Sequence, residues 1–117
     1  MFPLQIKRIY EHRSPSDGQR ILVDRVWPRG VSKMQLSDAI WIKEVAPSTE
    51  LRKWFDHSIE RWEEFCTRYA AELDLDPDKI KHLRSVCESG PVLLLYSARD
   101  TEHNQALALA EYLRALK

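Results

Sequence analysis

Residues 92–100 read VLLLYSARD, a short and continuously apolar run that ends in an arginine and an acid. A similar run occurs earlier, where residues 21–30 read ILVDRVWPRG. Continuously apolar runs are typical of strands in a sheet that is covered on both faces. Charged residues at the carboxyl ends of such strands mark the edge where open α/β sheets bind ligands. The two runs therefore predict two buried strands with a candidate site at their ends.

The overall composition favours one soluble domain. The chain has 117 residues, a length typical of a single domain, and its 18 basic residues balance its 18 acidic ones. Zero net charge argues against a bulk electrostatic binder of nucleic acid or of acidic membranes. No apolar stretch approaches the roughly 18 residues that a membrane helix needs. The N-terminus lacks the basic start and apolar run of a signal peptide. We therefore expect a cytoplasmic protein with no membrane contact.

Three segments have the composition of strands, and a fourth is compatible with one. Residues 5–10 and 20–26 are predicted strands, and residues 92–96 form the most apolar strand of the chain. The β-branched and aromatic residues of segment 39–45 favour a further strand there.

Caps and apolar periodicity predict the helices. Ser48 caps a short helix, and residues 59–73 carry an apolar stripe with the 3.6-residue period of a helix. A third helix begins after Asp76, and Asp100 or Thr101 caps the last one. The loose alternation of strands and helices predicts the α/β class. We expect one compact domain that spans the whole chain in three layers. Its small, mostly parallel sheet of three to four strands is covered by about four helices.

The first group of candidate site residues follows the second strand and comprises Asp24, Arg25, Trp27 and Arg29. Arginine forks suit phosphate and carboxylate groups, so Arg25 and Arg29 are candidate anion ligands. Trp27 offers a flat surface for a ring, and Asp24 is a candidate catalytic acid or base. The alternative is an internal ion-pair network in which Asp24 pairs with an arginine and Trp27 packs in the core.

The second group follows the last strand and comprises Ser97, Arg99, Asp100, His103 and Asn104. Ser97, Arg99 and Asn104 are candidate ligand contacts, while Asp100 and His103 are candidate catalytic residues. Asp100 also lies where a helix begins, and the free N–H groups of a helix N-terminus favour anions. Plain N-capping by Asp100 and a solvated first turn are the alternative roles.

The two groups are expected to meet at one edge of the sheet, because the two buried strands are expected to be neighbours. Asp24 and Arg99 are then expected to lie within a hydrogen bond or one water molecule of each other.

The sequence predicts neither a cofactor nor a metal centre. Neither the dinucleotide pattern Gly-x-Gly-x-x-Gly nor the P-loop pattern occurs. The four histidines are scattered without the spacing of metal ligands. Cys66 and Cys87 lack Cys-x-x-Cys spacing, and both are expected to be buried free thiols.

Four stretches resemble, in order, the motifs of the YeaO-like family, which is also catalogued as domain of unknown function 488. They are DGQRILVDRVWPRG at 17–30, APSTELRKWF at 46–55, WEEF at 62–65 with the helix that follows, and GPVLLLYSARD at 90–100 with HN at 103–104. Ser97 and Leu93 depart from the expected pattern. The resemblance covers almost the whole chain. It implies a small, single-domain bacterial or archaeal α/β protein and supports the choice of site residues, but it implies no reaction.

Three functions are open at this point. The favoured one is a site for a small anionic ligand, phosphate- or nucleotide-like, because convergent polar groups in a cleft are the default binding site. Whether such a site is also catalytic is left open. The second is a nucleic-acid module in which Trp27 or Tyr96 stacks on bases beside a basic patch of Arg20, Arg25, Arg29, Arg52, Lys53 and Arg99. The zero net charge counts against this function. The third is a protein-interaction module with a purely structural Arg/Asp network. The sequence carries no signal of oligomeric state.

Overall fold

A computed structural model describes residues 3–11 and 13–116, and its centre is one parallel sheet of four strands. The strands are β1 (Leu4–Arg8), β2 (Gln19–Leu22), β3 (Ala39–Trp41) and β4 (Val92–Tyr96). Their spatial order is β1-β4-β2-β3, so β4 and β2 are the central neighbours. Every residue of β4 is buried. The adjacency predicted from the two apolar runs is therefore confirmed.

Four α-helices accompany the sheet, which confirms the predicted α/β class. They are α1 (Thr49–Phe55), α2 (Trp62–Leu75), α3 (Lys81–Ser89) and α4 (Gln105–Ala115). Short 3-10 helices occupy Met34–Leu36, Lys43–Val45, Ile59–Arg61 and Pro77–Ile80. Within the described part of the chain, no helix combines the length and the apolar character needed to cross a membrane.

The two faces of the sheet are covered differently. On one face, Ile21 and Leu94 pack in a large core cluster to which all four α-helices contribute buried side chains. On the other face, Leu22 and Leu95 pack in a smaller cluster whose members all lie outside the α-helices. The connection between β2 and β3, with Leu36, covers this second face. The expectation of a three-layer domain, with helices on both faces of the sheet, is therefore wrong. The connection between β2 and β3 is too short for a long helix, and Pro28 and Gly30 interrupt it.

The second strand ends at Leu22 rather than at residue 26, for a reason visible in its hydrogen bonds. The N–H of Val23 still donates to the carbonyl of Leu95 at 3.1 Å. The next N–H on the neighbouring strand, that of Ser97, donates to the side chain of Asp24 at 3.0 Å. A carboxylate thus replaces the backbone as acceptor, the chain turns away, and Val26 is 63% exposed.

The other strands are also shorter than predicted. The first ends at Arg8 instead of residue 10, and the third is confined to Ala39–Trp41. The remainder of the predicted 39–45 strand becomes the 3-10 helix Lys43–Val45, since the partner strand β2 has ended at Leu22.

The last helix begins later than predicted. Asn104 is its cap, with a side-chain oxygen that accepts the N–H of Leu107 at 3.0 Å. The predicted caps Asp100 and Thr101 lie upstream of the helix. The carboxylate of Asp100 instead accepts the N–H groups of Glu102 and His103 at 2.8 and 3.0 Å, closing a local turn.

Two of the other helix predictions need adjustment and one is confirmed. Ser48 caps α1 as predicted, accepting the N–H of Leu51 at 3.1 Å. Ile59 was assigned to the apolar stripe of α2, yet it lies before that helix and is 61% exposed. Asp76 makes no side-chain cap, and the 3-10 helix Pro77–Ile80 separates it from α3.

Gly18 sets the close approach of β2 to the start of β4. Its φ is +73°, and a Cβ placed there lies 2.4 Å from the carbonyl oxygen of Pro91. The N–H of Gln19 donates to that same oxygen at 3.0 Å. The position therefore needs glycine both for its backbone conformation and for space.

Gly18→Ala is expected to destabilise the protein more than Gly30→Ala. Gly30 has a similar φ of +78° but open space around its Cβ position, so the exchange there costs only the left-handed strain, about 1–2 kcal/mol. Gly18→Ala adds the clash with Pro91, an overpacking cost of roughly 1–3 kcal/mol more. Urea unfolding of the two variants measures the difference, and equal losses would contradict this account of Gly18.

Candidate functional site

A cleft of about 810 Å³ opens where β2 and β4 end. All nine candidate side chains line it: Asp24, Arg25, Trp27, Arg29, Ser97, Arg99, Asp100, His103 and Asn104. The volume lies in the range of roughly 300–1,000 Å³ that small-molecule sites occupy. The two sequence groups therefore form the walls of a single cleft at the carboxyl edge of the sheet.

Asp24 is the buried acid of this cleft, with only 6% of its surface exposed. One carboxylate oxygen accepts the N–H and the hydroxyl of Ser97 at 3.0 and 2.5 Å. The other accepts the side-chain amide of Gln105 at 2.5 Å. The indole N–H of Trp41 donates to the backbone carbonyl of Asp24 at 2.7 Å. Asp24 thus joins the end of β2 to the end of β4 and to the first residue of α4.

Burial raises the pKa of Asp24 above its ordinary value. The hydrogen bonds from Ser97 and Gln105 and the positive charge of Arg52 act in the opposite direction, but burial outweighs them. No direct hydrogen bond or ion pair joins Asp24 to Arg99 within the described residues. Ser97, two positions earlier, makes the contact with Asp24 instead.

Ser97→Ala is expected to raise the pKa of Asp24 further. The change removes one hydrogen bond that stabilises the charged carboxylate, so the neutral form becomes relatively more favourable. Carboxyl ¹³C NMR over a pH titration measures the value. Ser89→Ala is the matched control, since that exposed hydroxyl donates to the carbonyl of Ser85 on α3. A lower or unchanged Asp24 pKa in Ser97→Ala would contradict the assigned network.

Asp24→Asn is expected to remove a loss of folding stability that the parent protein undergoes as the pH rises. Because the folded-state pKa is raised, the folded chain keeps a proton on Asp24 at pH values where the unfolded chain has lost it. Stability from this group therefore falls as the pH rises from the ordinary value of 3.8 through the raised pKa. The free energy of unfolding of the parent, minus that of the variant, should decline over this interval and then level off.

Urea unfolding across a pH series measures this difference, in which the titrations of all other groups cancel. A difference that stays constant, or that grows with pH, would show that the pKa of Asp24 is not raised in the folded protein.

Four arginines surround the cleft, and their side chains are exposed: Arg25, Arg29, Arg52 and Arg99. Within the described residues, none of their guanidinium groups forms an ion pair or a hydrogen bond. The arginines that pair with acids in the described residues lie outside the cleft: Arg13 and Arg20 share Asp38, and Arg68 pairs with Glu64. Among the described residues, the cleft lining contains two acids, Asp24 and Asp100, against these four arginines. The cleft therefore carries an excess of positive charge.

Asp100, His103 and Asn104 form a compact turn on one side of the cleft. Hydrogen bonds lower the pKa of the Asp100 carboxyl group, with the largest effect from the N–H of Glu102 and smaller ones from His103. The Nδ1 atom of His103 lies 3.0 Å from that carboxylate, and its ring meets Trp62 edge-on at 5.4 Å. The side-chain amide of Asn104 donates to the carbonyl of Asp100 at 2.9 Å. Each of the three side chains therefore has a local structural contact.

Trp27 both packs against the core and lines the cleft, so it has the predicted role of a cleft wall and the alternative role of a core residue at once. Its indole N–H donates to the carbonyl of Val31 at 2.6 Å. Its ring meets Trp41 edge-on with centroids 5.4 Å apart, and the side chain packs against the smaller core cluster. The half-buried ring is thereby held in a fixed orientation at the cleft wall.

Three polar residues of the cleft were not among the predicted catalytic or ligand-binding residues: Arg52, His57 and Gln105. Arg52 lies three positions before Phe55 on α1, a spacing that puts both on one helix face, and Phe55 also lines the cleft. The spacing alone does not place Arg52 in the cleft, because the position of α1 against the sheet must also be known. His57 follows the end of α1 in the left-handed region, with φ of 55°. Nothing local in the sequence marks Gln105.

Other reactive groups do not add to the site. No set of three or more His, Cys, Asp or Glu side chains is arranged to hold a metal ion in the described part of the chain. Cys66 and Cys87 are unpaired and half-buried rather than fully buried. Burial raises the pKa of both thiols, that of Cys66 to about 11, so neither is an activated nucleophile.

Comparison with known proteins identifies relatives along nearly the whole chain. The family profile described as "Inactive DUF488-N3 subclade" matches residues 3–116. "Uncharacterized protein YeaO" of Escherichia coli (strain K12) is 46% identical over 113 residues, 97% of this chain and 98% of the relative. "Uncharacterized protein Rv3073c" of Mycobacterium tuberculosis (strain ATCC 25618 / H37Rv) is 41% identical over 110 residues, 94% of this chain and 92% of the relative. No solved structure gives a significant match. The resemblance carried by the four sequence motifs is confirmed.

Proposed function

Because the chain belongs to the DUF488 family, in the group described as its inactive N3 subclade, we propose that it binds a small anionic ligand without transforming it. The ligand is phosphate- or nucleotide-like, and it occupies the cleft at the ends of β2 and β4. The observation that carries the proposal is the convergence of four unpaired arginines on that cleft.

The charge of the cleft supports an anionic ligand. Four arginines and two acids line it, so a bound anion reduces an existing imbalance. A purely structural network would engage its arginines with acids, as Arg20 is engaged with Asp38 at 2.8 Å. The cleft arginines have no such partner among the described residues. The guanidinium fork binds phosphate and carboxylate through two parallel hydrogen bonds, which favours ligands with these groups.

The contacts of the candidate catalytic residues support binding rather than catalysis. The hydroxyl proton of Ser97 and the amide of Gln105 are both committed to Asp24. Asp100 closes a turn and also accepts a contact from His103. A general acid or base needs an open path to the reacting proton, and Asp100 and His103 are both held in contacts with neighbours within the protein. This arrangement agrees with the word "inactive" in the family description.

Phosphate or sulfate is expected to raise the melting temperature beyond the effect of sodium chloride at equal ionic strength. A ligand that binds only the folded state at 100 times its Kd stabilises by about 2.7 kcal/mol, which corresponds to several degrees. Each of Arg25→Lys, Arg29→Lys, Arg52→Lys and Arg99→Lys keeps the charge but loses the fork. At least one of these variants, Arg29→Lys in particular, should lose the phosphate-specific shift.

Arg84→Lys is the matched control, since Arg84 is an exposed arginine on α3 outside the cleft. It should retain the full shift. The proposal fails if phosphate and sulfate stabilise no more than sodium chloride, or if all four cleft variants respond as the parent does.

A further inference from the structure

Resting on the proposed function, we infer that the ligand is bipolar: its anionic group meets the arginines, and a separate N–H donor meets the carboxylate of Asp24. The ligand class is therefore an anion that also carries an amino group. Two sources share this chemistry, an alkylamine phosphate and a nucleotide with an amino-bearing base.

The first observation is that Asp24 has unused acceptor capacity. A carboxylate offers about four acceptor positions, two on each oxygen. Ser97 fills two positions on one oxygen, and Gln105 fills one on the other. One position is left on the oxygen that faces Gln105. Because this carboxylate lines the cleft, a single donor from a bound ligand completes its hydrogen bonding.

The second observation is that Asp24 forms no ion pair among the described residues, although the positive charge of Arg52 acts on it from a longer distance. No basic side chain in the described residues lies within ion-pair distance of its carboxylate, although four arginines share the cleft. The two other buried or nearly buried charges of the sheet region are paired, Asp17 with Lys7 at 2.6 Å and Arg20 with Asp38 at 2.8 Å. A buried charge without an ion-pair partner lowers the free energy of unfolding. A ligand cation or N–H donor therefore gains more binding free energy at Asp24 than at an exposed acid.

The third observation is that Asp24 and the four arginines line the same cleft. Arg25 is the next residue after Asp24, so their Cα atoms are about 3.8 Å apart. Arg99 lies two residues beyond Ser97, whose hydroxyl is 2.5 Å from the Asp24 carboxylate. The cleft volume of about 810 Å³ accommodates a ligand as large as a mononucleotide. The half-buried ring of Trp27 supplies an apolar wall beside these charges.

Alternatives explain Asp24 less well. As a purely structural acid it serves three donors, but a neutral Asn serves the same donors without burying a charge. The oxygen of an Asn at position 24 accepts from Ser97. Its NH2 group donates to the side-chain oxygen of Gln105, once the Gln105 amide is flipped so that its oxygen faces position 24. A carboxylate at this place gains its advantage when a donor from outside the protein arrives.

The experiment compares probes that differ only in the amino group. Isothermal titration calorimetry at neutral pH measures phosphoethanolamine against ethyl phosphate, and adenosine monophosphate against purine riboside monophosphate. One hydrogen bond to a charged acceptor corresponds to about 10-fold to 100-fold in affinity. The amino-bearing member of at least one pair is expected to bind more tightly by that factor. The pair that shows the preference identifies the source, an alkylamine phosphate or an amino-bearing base.

Asp24→Asn is expected to abolish the preference for the amino-bearing member of the pair, because the carboxylate that accepts from the amino group is gone. Asp74→Asn, a change at an exposed acid of α2 outside the cleft, is the matched control and should retain the preference. Equal affinities within both pairs in the parent protein would overturn the inference while phosphate binding still supports the proposed function. A preference that persists in Asp24→Asn would overturn it as well. Loss of phosphate binding in the parent would instead refute the proposed function itself.

A measurement on the parent protein keeps the test decisive if Asp24→Asn does not fold. Carboxyl ¹³C NMR follows the Asp24 pKa with each probe bound. Both members of a pair add the same negative charge nearby, so the difference in Asp24 pKa within a pair reports the amino group alone. The pKa should be lower with the amino-bearing member bound than with its counterpart in at least one pair, and equal or higher values in both pairs would overturn the inference.

Discussion

The hydrogen bonding of one buried carboxylate, that of Asp24, holds the carboxyl edge of the sheet together. Its two oxygens accept from Ser97 after β4 and from Gln105 at the start of α4. Asp24 lies 73 and 81 positions before these two residues in the sequence, and its carboxylate is the point where the segments meet. Because a buried acceptor loses much free energy when its donors are removed, the three segments are fixed relative to one another.

The positions of the cleft arginines follow from this fixed edge. Arg25 leaves the sheet directly after Asp24, and Arg99 follows the Ser97 that Asp24 anchors. Arg52 comes from α1, whose Leu51 and Phe55 are buried in the larger core. The backbones that carry the arginines are thus anchored while their guanidinium groups stay exposed. A rigid frame with unengaged cations at its rim suits recognition of an anion, because little order is lost when the ligand arrives.

Local sequence signals predicted those features that local chemistry decides. The two apolar runs predicted the central strands β2 and β4, and Ser48 predicted the start of α1. The predicted start of α4 was wrong because Asp and Asn are both favoured as helix caps. The Asp100 side chain closes a turn before the helix, and the Asn104 side chain caps the helix instead. Arg52 and Gln105 joined the cleft through the docking of helices, which no local pattern encodes. The missing third layer likewise depended on how a short connection lies across the sheet.

The strand order also bears on how this chain is made. β1 and β2 are synthesised early, yet they pair with each other nowhere, because β4 lies between them. Leu4 and Gln19 both find their partner in Val92. On the ribosome, both early strands and three of the four helices are complete before β4 emerges. The edges of β1 and β2 that face β4 therefore lack their hydrogen-bonding partner for most of translation, and unpaired strand edges favour aggregation during folding.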